Sequence, residues 1–219
     1  DGGTVELSAA GEGVRVDLKD ASGTDNSLNA VTNVDTGNLD LGILDAPGVE
    51  TINITTSDVS TDVDDGDTIN TATVELQADE ATTVYVDGNG NLDLDFDSIT
   101  DSVTLLDATD LGGSLTAGTT GAGDQTIQGG SGGDELTSNG LNDTLRGGDG
   151  DDTLIAGRFT DLFGEGGTNT FEISGADSVT QRSVIEDLGS GDKIELGSLG
   201  SNGTETLADS FESSALQFS

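Results

Sequence analysis

The sequence predicts an all-β chain in which a parallel β-solenoid runs into a more regular coil built from a short repeat. Three observations lead there. Only 32% of the 219 residues are apolar and 3% aromatic, and there is no tryptophan, methionine, cysteine or histidine, while 34 residues are glycine. A chain so short of large side chains lacks material for a thick globular core and suits thin, repetitive β-structure. Short alternating or β-branched runs fill the first half, and a nine-residue period occupies part of the second. Low hydrophobicity with high net charge also suits a disordered chain, so the period decides between the two.

In residues 1–118 the runs are VELSA, VRVDL, NLDLGIL, VETINITT, TATVELQ, TTVYVDG, NLDLDF and SVTLLDA, separated by Gly, Asn and Asp turns. With one proline, Pro47, and no helical period, they read as a solenoid or a sandwich. Recurrence of NLDL at 38–41 and 91–94, and direct continuity with the repeat that follows, favour the solenoid.

The period begins at position 120, in blocks 120–128, 129–137, 138–146, 147–155, 156–163 and 164–172. The pattern is Gly-Gly-x-Gly-x-Asp-x-U-x, with U a large apolar residue. Position eight reads Ile127, Leu136, Leu145, Leu154, Phe163, Phe171; position six reads Gln125, Asp134, Asp143, Asp152, Asp161, Asn169. The fifth block is one residue short. Six in-phase blocks with an unbroken apolar position argue against a flexible solvated linker.

These blocks resemble the RTX (repeats-in-toxin) nonapeptide array. The resemblance implies a calcium-binding β-roll with two nonapeptides per turn, hence about three turns here. One face would carry Ile127, Leu145 and Phe163, the other Leu136, Leu154 and Phe171. It also implies ions held between loops two blocks apart, pairing Gln125 with Asp143, Asp134 with Asp152, Asp143 with Asp161, and Asp152 with Asn169. Calcium takes about six to eight oxygens and accepts carboxylates and backbone carbonyls together, which explains why glycines and aspartates alternate. The site expected to be best formed joins Gly129, Gly130, Gly132 and Asp134 to Gly147, Gly148, Gly150 and Asp152. Leu141 and Phe159 at the fourth position of their blocks, and Arg158 beside Phe159, make the Asp143 and Asp161 site weaker. About two to four calcium ions are expected in the roll. The acidic runs DVDDGD (62–67) and DATD (107–110) read as solvated turns, and no ligand is assigned there.

After the array, SVIEDLGSGDKIELGSL (183–199) resembles the segment that follows the roll in RTX proteases and related exported proteins. Ile185, Asp187, Gly191, Asp192, Lys193, Ile194 and Leu196 hold the matching places, with Leu188 where a Phe is usual. The resemblance implies a C-terminal cap leading into an uncleaved type I secretion signal. Residues 204–219 place Leu207, Phe211, Ala215 and Phe218 at helical spacing, compatible with such a signal or with a plain amphipathic end. APGVETINITTSD (46–58) and SVTLLDATDLGGSLT (102–116) resemble segments of the large calcium-dependent surface-layer (S-layer) proteins that some Gram-negative bacteria secrete. The expected division is a β-solenoid over 1–118, the RTX β-roll over 119–173, and the cap and secretion-signal region over 174–219. The start, DGGTVELSAAG, reads as part of a longer polypeptide.

Charge narrows the partners. Against 43 acidic residues stand six basic ones, a net charge of −37, which repels nucleic acid and anionic lipid and leaves multivalent cations as natural counter-ions. No stretch is long and apolar enough to span a membrane. Without His or Cys, a zinc-protease motif, a Ser-His-Asp triad and a Cys-His dyad are all beyond these residues. The expected function is structural rather than enzymatic: part of a secreted bacterial S-layer that folds on calcium and self-associates into a two-dimensional lattice, with outer-membrane polysaccharide a possible partner of other parts of the chain. The alternatives are an extender or export module of an RTX adhesin or toxin, and the noncatalytic tail of an exported hydrolase.

Overall fold

The computed structural model describes residues 3–7, 13–15, 25–34, 37–58, 69–96, 102–121, 123–173 and 182–196. Each coil contributes two strands. The first coils pair β1 (Gly3–Leu7) with β2 (Val14–Arg15), β3 (Ser27–Val34) with β4 (Leu39–Asp45), and β5 (Thr51–Asp58) with β6 (Thr71–Gln77). Next come β7 (Thr83–Gly88) and β8 (Asn91–Phe96), then β9 (Leu105–Leu111) and β10 (Leu115–Gly118). The repeat coils are β11 (Thr126–Gln128) and β12 (Glu135–Thr137), β13 (Thr144–Gly148) and β14 (Thr153–Ala156), β15 (Asp161–Glu165) and β16 (Thr170–Ile173). A last coil holds β17 (Val184–Ile185) and β18 (Lys193–Leu196).

Odd-numbered strands form one nine-stranded sheet and even-numbered strands a second, each ordered along the chain. All pairing is parallel, so the described residues form the parallel β-solenoid expected from the recurrence of NLDL and the continuity with the repeat, and they include no helix. The sheets run without a break through positions 118 and 173. Alternation along each strand sends every second side chain inward, as in TINITTSD of β5. Stacking in register turns those side chains into ladders. In one sheet Leu28, Ile52, Val84, Leu106, Ile127, Leu145, Leu162 and Ile185 follow one another. In the other, Val74, Leu94, Ala117, Leu136, Leu154, Phe171 and Ile194 do the same.

The apolar eighth position of the repeat is thus a continuation of ladders begun in the first half, with one correction. Leu162, not Phe163, stands in register with Leu145. Leu162 is fully buried, whereas Phe163 lies on the outer face beneath the Arg146 guanidinium, 3.9 Å from the ring centroid. The missing residue of the fifth block falls in its loop, ahead of the strand, so the strand enters one position earlier than block counting places it.

The core tapers along the chain. In β5 and β6, strands of eight and seven residues each place three side chains inward, whereas β11 and β12, three residues long, place one each, Ile127 and Leu136. At about 1.5–3 kcal/mol for each large side chain fully buried, the four of β5 and β6 (Ile52, Ile54, Val74 and Leu76) give that coil about twice the hydrophobic support of the coil of Ile127 and Leu136. Leu162→Ala should lower stability by about 2–5 kcal/mol, and Phe163→Ala should remove mainly the Arg146 stack, about 0.5–1 kcal/mol. Denaturant titration of both variants in calcium checks this register; equal losses contradict it.

Candidate metal centre

Connections from the first sheet to the second lie along one edge of the roll, and those returning lie along the other. On the first edge four side chains make a ladder of their own. Oδ1 of Asp134 accepts from the Leu115 N–H (2.7 Å), Oδ1 of Asp152 from the Asp134 N–H (2.8 Å), Oδ1 of Asn169 from the Asp152 N–H (3.0 Å), and Oδ1 of Asp192 from the Asn169 N–H (2.8 Å). Each thereby satisfies a donor one coil earlier. Asp134 and Asp152, the pair expected at the best-formed site, are brought together here.

The four differ at the second atom of the side chain. Asp192 Oδ2 accepts from the Gly189 N–H (2.7 Å), and Asp134 Oδ2 from the Gly130 N–H (2.7 Å). Asn169 donates Nδ2 to the Gly166 carbonyl (3.0 Å), so an N–H occupies the place where the aspartates present an oxygen. Asp152 Oδ2 is buried without a hydrogen-bond partner. A buried polar atom without a partner costs roughly 1–3 kcal/mol, more when it is charged.

Glycine makes room at these oxygens. A Cβ at Gly147 would overlap Asp152 Oδ2 and stand 2.8 Å from the Gly164 carbonyl; a Cβ at Gly129 would overlap Asp134 Oδ2 and the Gly147 carbonyl. The two cradles, one coil apart, are lined alike by a carboxylate oxygen and a carbonyl of the next loop. Loop 147–152 stacks directly on loop 129–134: the Asp149 N–H bonds the Gly130 carbonyl (2.9 Å), and Gly148 and Gly150, at φ +103° and +117°, pass over the carbonyls of Gly130 and Gly132. The orphaned oxygen, the cradles and the all-oxygen donor set fit calcium. When bound, the ion supplies positive charge, with Asp134, Asp152 and the Gly147 and Gly164 carbonyls as the groups that would hold it. Among the described residues no three acidic side chains converge, so these sites draw on main-chain oxygen.

Burial also shows in the acidities. Asp134 and Asp152 are 2% and 1% exposed. Desolvation lifts the Asp134 carboxyl to about 6 against the hydrogen bonds from Leu115 and Gly130. It lifts Asp152 to about 7, opposed by the bond from Asp134 and aided by the charges of Asp134, Asp151 and Glu165. Beside this column a shallow polar cleft of ≈ 240 Å³ is lined by Thr109, Gln128, Arg146, Asp149, Glu165 and the glycines 129, 130 and 148. Arg146 pairs there with Glu165 at 2.8 Å.

The opposite edge departs from expectation. Asp161 is exposed at the start of β15, in register with Thr144, while the fully buried Thr160 occupies the place equivalent to Asp143. The expected Asp143 and Asp161 pair therefore does not form, for the same reason that Leu162 replaces Phe163. Asp143 is buried, and its Oδ1 accepts the Gln125 N–H (3.1 Å). The Gln125 side chain turns away, accepting from Thr120 N–H (2.8 Å) and donating to the Val103 carbonyl. Asn169, expected to share an ion with Asp152, stands next to it in the ladder, its Oδ1 accepting the Asp152 N–H and its Nδ2 donating to the Gly166 carbonyl.

Sequence reading missed Gly164, whose carbonyl lines the second cradle, and the hydroxyls of Thr119, Ser138, Thr160 and Ser183. Their spacing is irregular, and a Ser or Thr in a glycine position reads as degeneracy of the repeat. Asp187 has a plain role: its two oxygens accept the N–H groups of Gly164 and Glu165, each at 2.8 Å.

Residues 119–154, 128–163 and 138–171 match the RTX calcium-binding nonapeptide repeat, a family description that counts four copies. The segment spanning these matches, 119–171, thus consists of calcium-binding repeats of the RTX kind, wound as a β-roll. Proteins with such repeats are generally secreted, which supports an extracellular location. No curated protein matches the chain.

Asp152→Ala should weaken calcium binding measured by calorimetry, and Asp161→Ala should leave it unchanged. The pH dependence has a definite sign. Because the folded, metal-free roll holds its protons above the ordinary carboxylate pKa of 3.8, its stability falls as pH rises from about 4 to about 7. Calcium binds the deprotonated form, so affinity should rise over the same window, by at least about tenfold between pH 5.5 and 8. Proton release on binding near pH 6, read in buffers of different ionisation enthalpy, checks it.

Proposed function

We propose that the chain is a noncatalytic, load-carrying part of a secreted bacterial S-layer protein, folded by calcium and assembled through its sheet faces into a two-dimensional lattice. The observation that carries this reading is the unbroken stacking of both sheets from β1 to β18, which makes a rod with two sheet faces. The second sheet presents a regular outward row that includes two acids. Thr73, Asp93, Thr116, Glu135, Thr153 and Thr170 stand in one row of the second sheet. Asp93 has its carboxyl raised by burial first, then by the charges of Asp95 and Glu135. Two such faces meet favourably only with cations between them, so the same ion that completes the loops can join neighbouring rods. Surface polysaccharide is the anchor we assign to other parts of the polypeptide.

The S-layer resemblance of residues 46–58 and 102–116 supports this reading over an extender of an RTX adhesin or toxin, which would use the same roll without side-by-side contacts. Neither reading needs a catalytic group in this chain, and nucleic acid is disfavoured by charge. No helix among the described residues is long and apolar enough to cross a membrane. The amphipathic segment 204–219, assigned to type I export, lies outside the described residues.

Electron microscopy of the calcium-loaded protein separates the readings: a regular two-dimensional lattice is expected, and isolated rods or filaments would favour the adhesin. Removing 197–219 should leave the roll folded by circular dichroism while retaining the protein inside the cell. Secretion of that truncation at the normal level would refute the export assignment.

A further inference from the structure

We propose that the two edges of the roll are held by different chemistry: a two-site calcium column on the Asp134 and Asp152 edge, and a metal-independent relay of hydroxyls closed on Asp143 on the other. The inference rests on the calcium reading above and adds to it which aspartates of the repeat do not take metal.

A carboxylate offers about four lone-pair directions. Asp143 accepts four hydrogen bonds, one on Oδ1 and three on Oδ2. Oδ1 takes the Gln125 N–H (3.1 Å), and Oδ2 takes the Thr119 hydroxyl (2.8 Å), the Ser138 hydroxyl (2.7 Å) and the Gly140 N–H (3.2 Å). Asp152, by contrast, has an oxygen with no donor. Hydrogen bonds from neutral donors stabilise a buried anion without adding a cation, so Asp143 has what Asp152 lacks.

The donors at Asp143 are themselves anchored. Thr119 Oγ1 accepts from the Asn139 N–H (2.8 Å) while donating to Asp143. Thr160 Oγ1 donates to Ser138 Oγ (3.0 Å), which in turn donates its own hydrogen bond to Asp143. One coil further, Ser183 Oγ accepts from the Thr160 N–H and donates to the Gly157 carbonyl, both at 3.1 Å. Thr119, Ser138, Thr160 and Ser183 thus link successive coils with hydroxyl groups along the edge where the other side has its carboxylate ladder.

Neighbouring coils place no second carboxylate at the buried position, since Gln125 and Thr160 hold the places equivalent to Asp143, Asp161 is exposed on β15, and Asp124, also exposed, accepts from Asn142 Nδ2 (3.2 Å). The loops are also shaped differently. Leu141 and Phe159 stand outward, 42% and 38% exposed, and Asn142 and Phe159 take left-handed backbone conformations that only glycine adopts freely.

The test is the number of calcium ions bound by the full chain in equilibrium dialysis. Asp134→Asn and Asp152→Asn should each lose about one ion relative to the parent; Asp143→Asn should lose none. An ion lost with Asp143→Asn overturns the proposal. Unchanged counts for Asp134→Asn and Asp152→Asn would instead overturn the calcium column itself, a separate failure. Because Asp143→Asn risks misfolding, Thr119→Val provides a second measurement at two calcium concentrations that both keep the roll folded. A metal-independent relay predicts the same shift in unfolding midpoint at each concentration. A shift that shrinks as calcium rises would mean that the ion replaces the hydroxyl, and would refute the relay.

Discussion

A carboxylate carried out of water costs several kcal/mol unless opposite charge or hydrogen bonds meet it. Asp134, Asp143 and Asp152 are all buried in a chain of net charge −37. The geometry of the roll follows from how each is met. One oxygen of each aspartate takes a main-chain N–H of the preceding coil, which ties the coils together at the loops as strand pairing does within the sheets. The other oxygen needs a local donor or a cation, and glycine is required wherever carbonyls must close around it. A one-residue slip would turn every inward side chain outward, so the aspartate ladder and the apolar ladders reinforce a single register.

Support is unevenly shared along the rod. Strands β5 and β6 of the first half bury three side chains each, while β11 and β12 of the repeat coils bury one each. The half with the thinner core is the half that carries the calcium loops. Binding free energy there becomes folding free energy, and stability rises with the free ion concentration. Low calcium leaves the loops with repelling, poorly solvated carboxylates; external calcium removes that cost.

At the far end, Asp187 and Asp192 show that the segment after the array is structurally part of the roll. They take the N–H groups of Gly164, Glu165 and Asn169, and β17 and β18 extend both sheets by one coil. What resembles a separate motif in sequence is, in space, a ninth coil without the glycine pattern. Its stacking uses the same two devices as the repeats, an inward aliphatic residue and an acid directed at the previous coil.

Alternation of apolar and β-branched residues, the scarcity of large side chains and the in-phase Leu136, Leu145 and Leu154 determined by themselves a repetitive β-chain with a nine-residue period, because periods of two and nine can be counted along the chain; the winding in two ladders and calcium as the ion came from the resemblance of those blocks to RTX repeats. The register of the fifth block was not countable. A missing residue belongs to a loop or a strand only once the neighbouring coils have chosen which side chains to bury, and packing chose Leu162 and Thr160 over Phe163 and Asp161. Nor could spacing separate Asp143 from Asp152, which occupy the same position of the same motif. Their difference lies in side chains brought alongside from other coils: Thr119 and Ser138 donate to one, and beside glycine the other keeps a buried oxygen with no donor. Proximity across coils is a property of the folded chain alone.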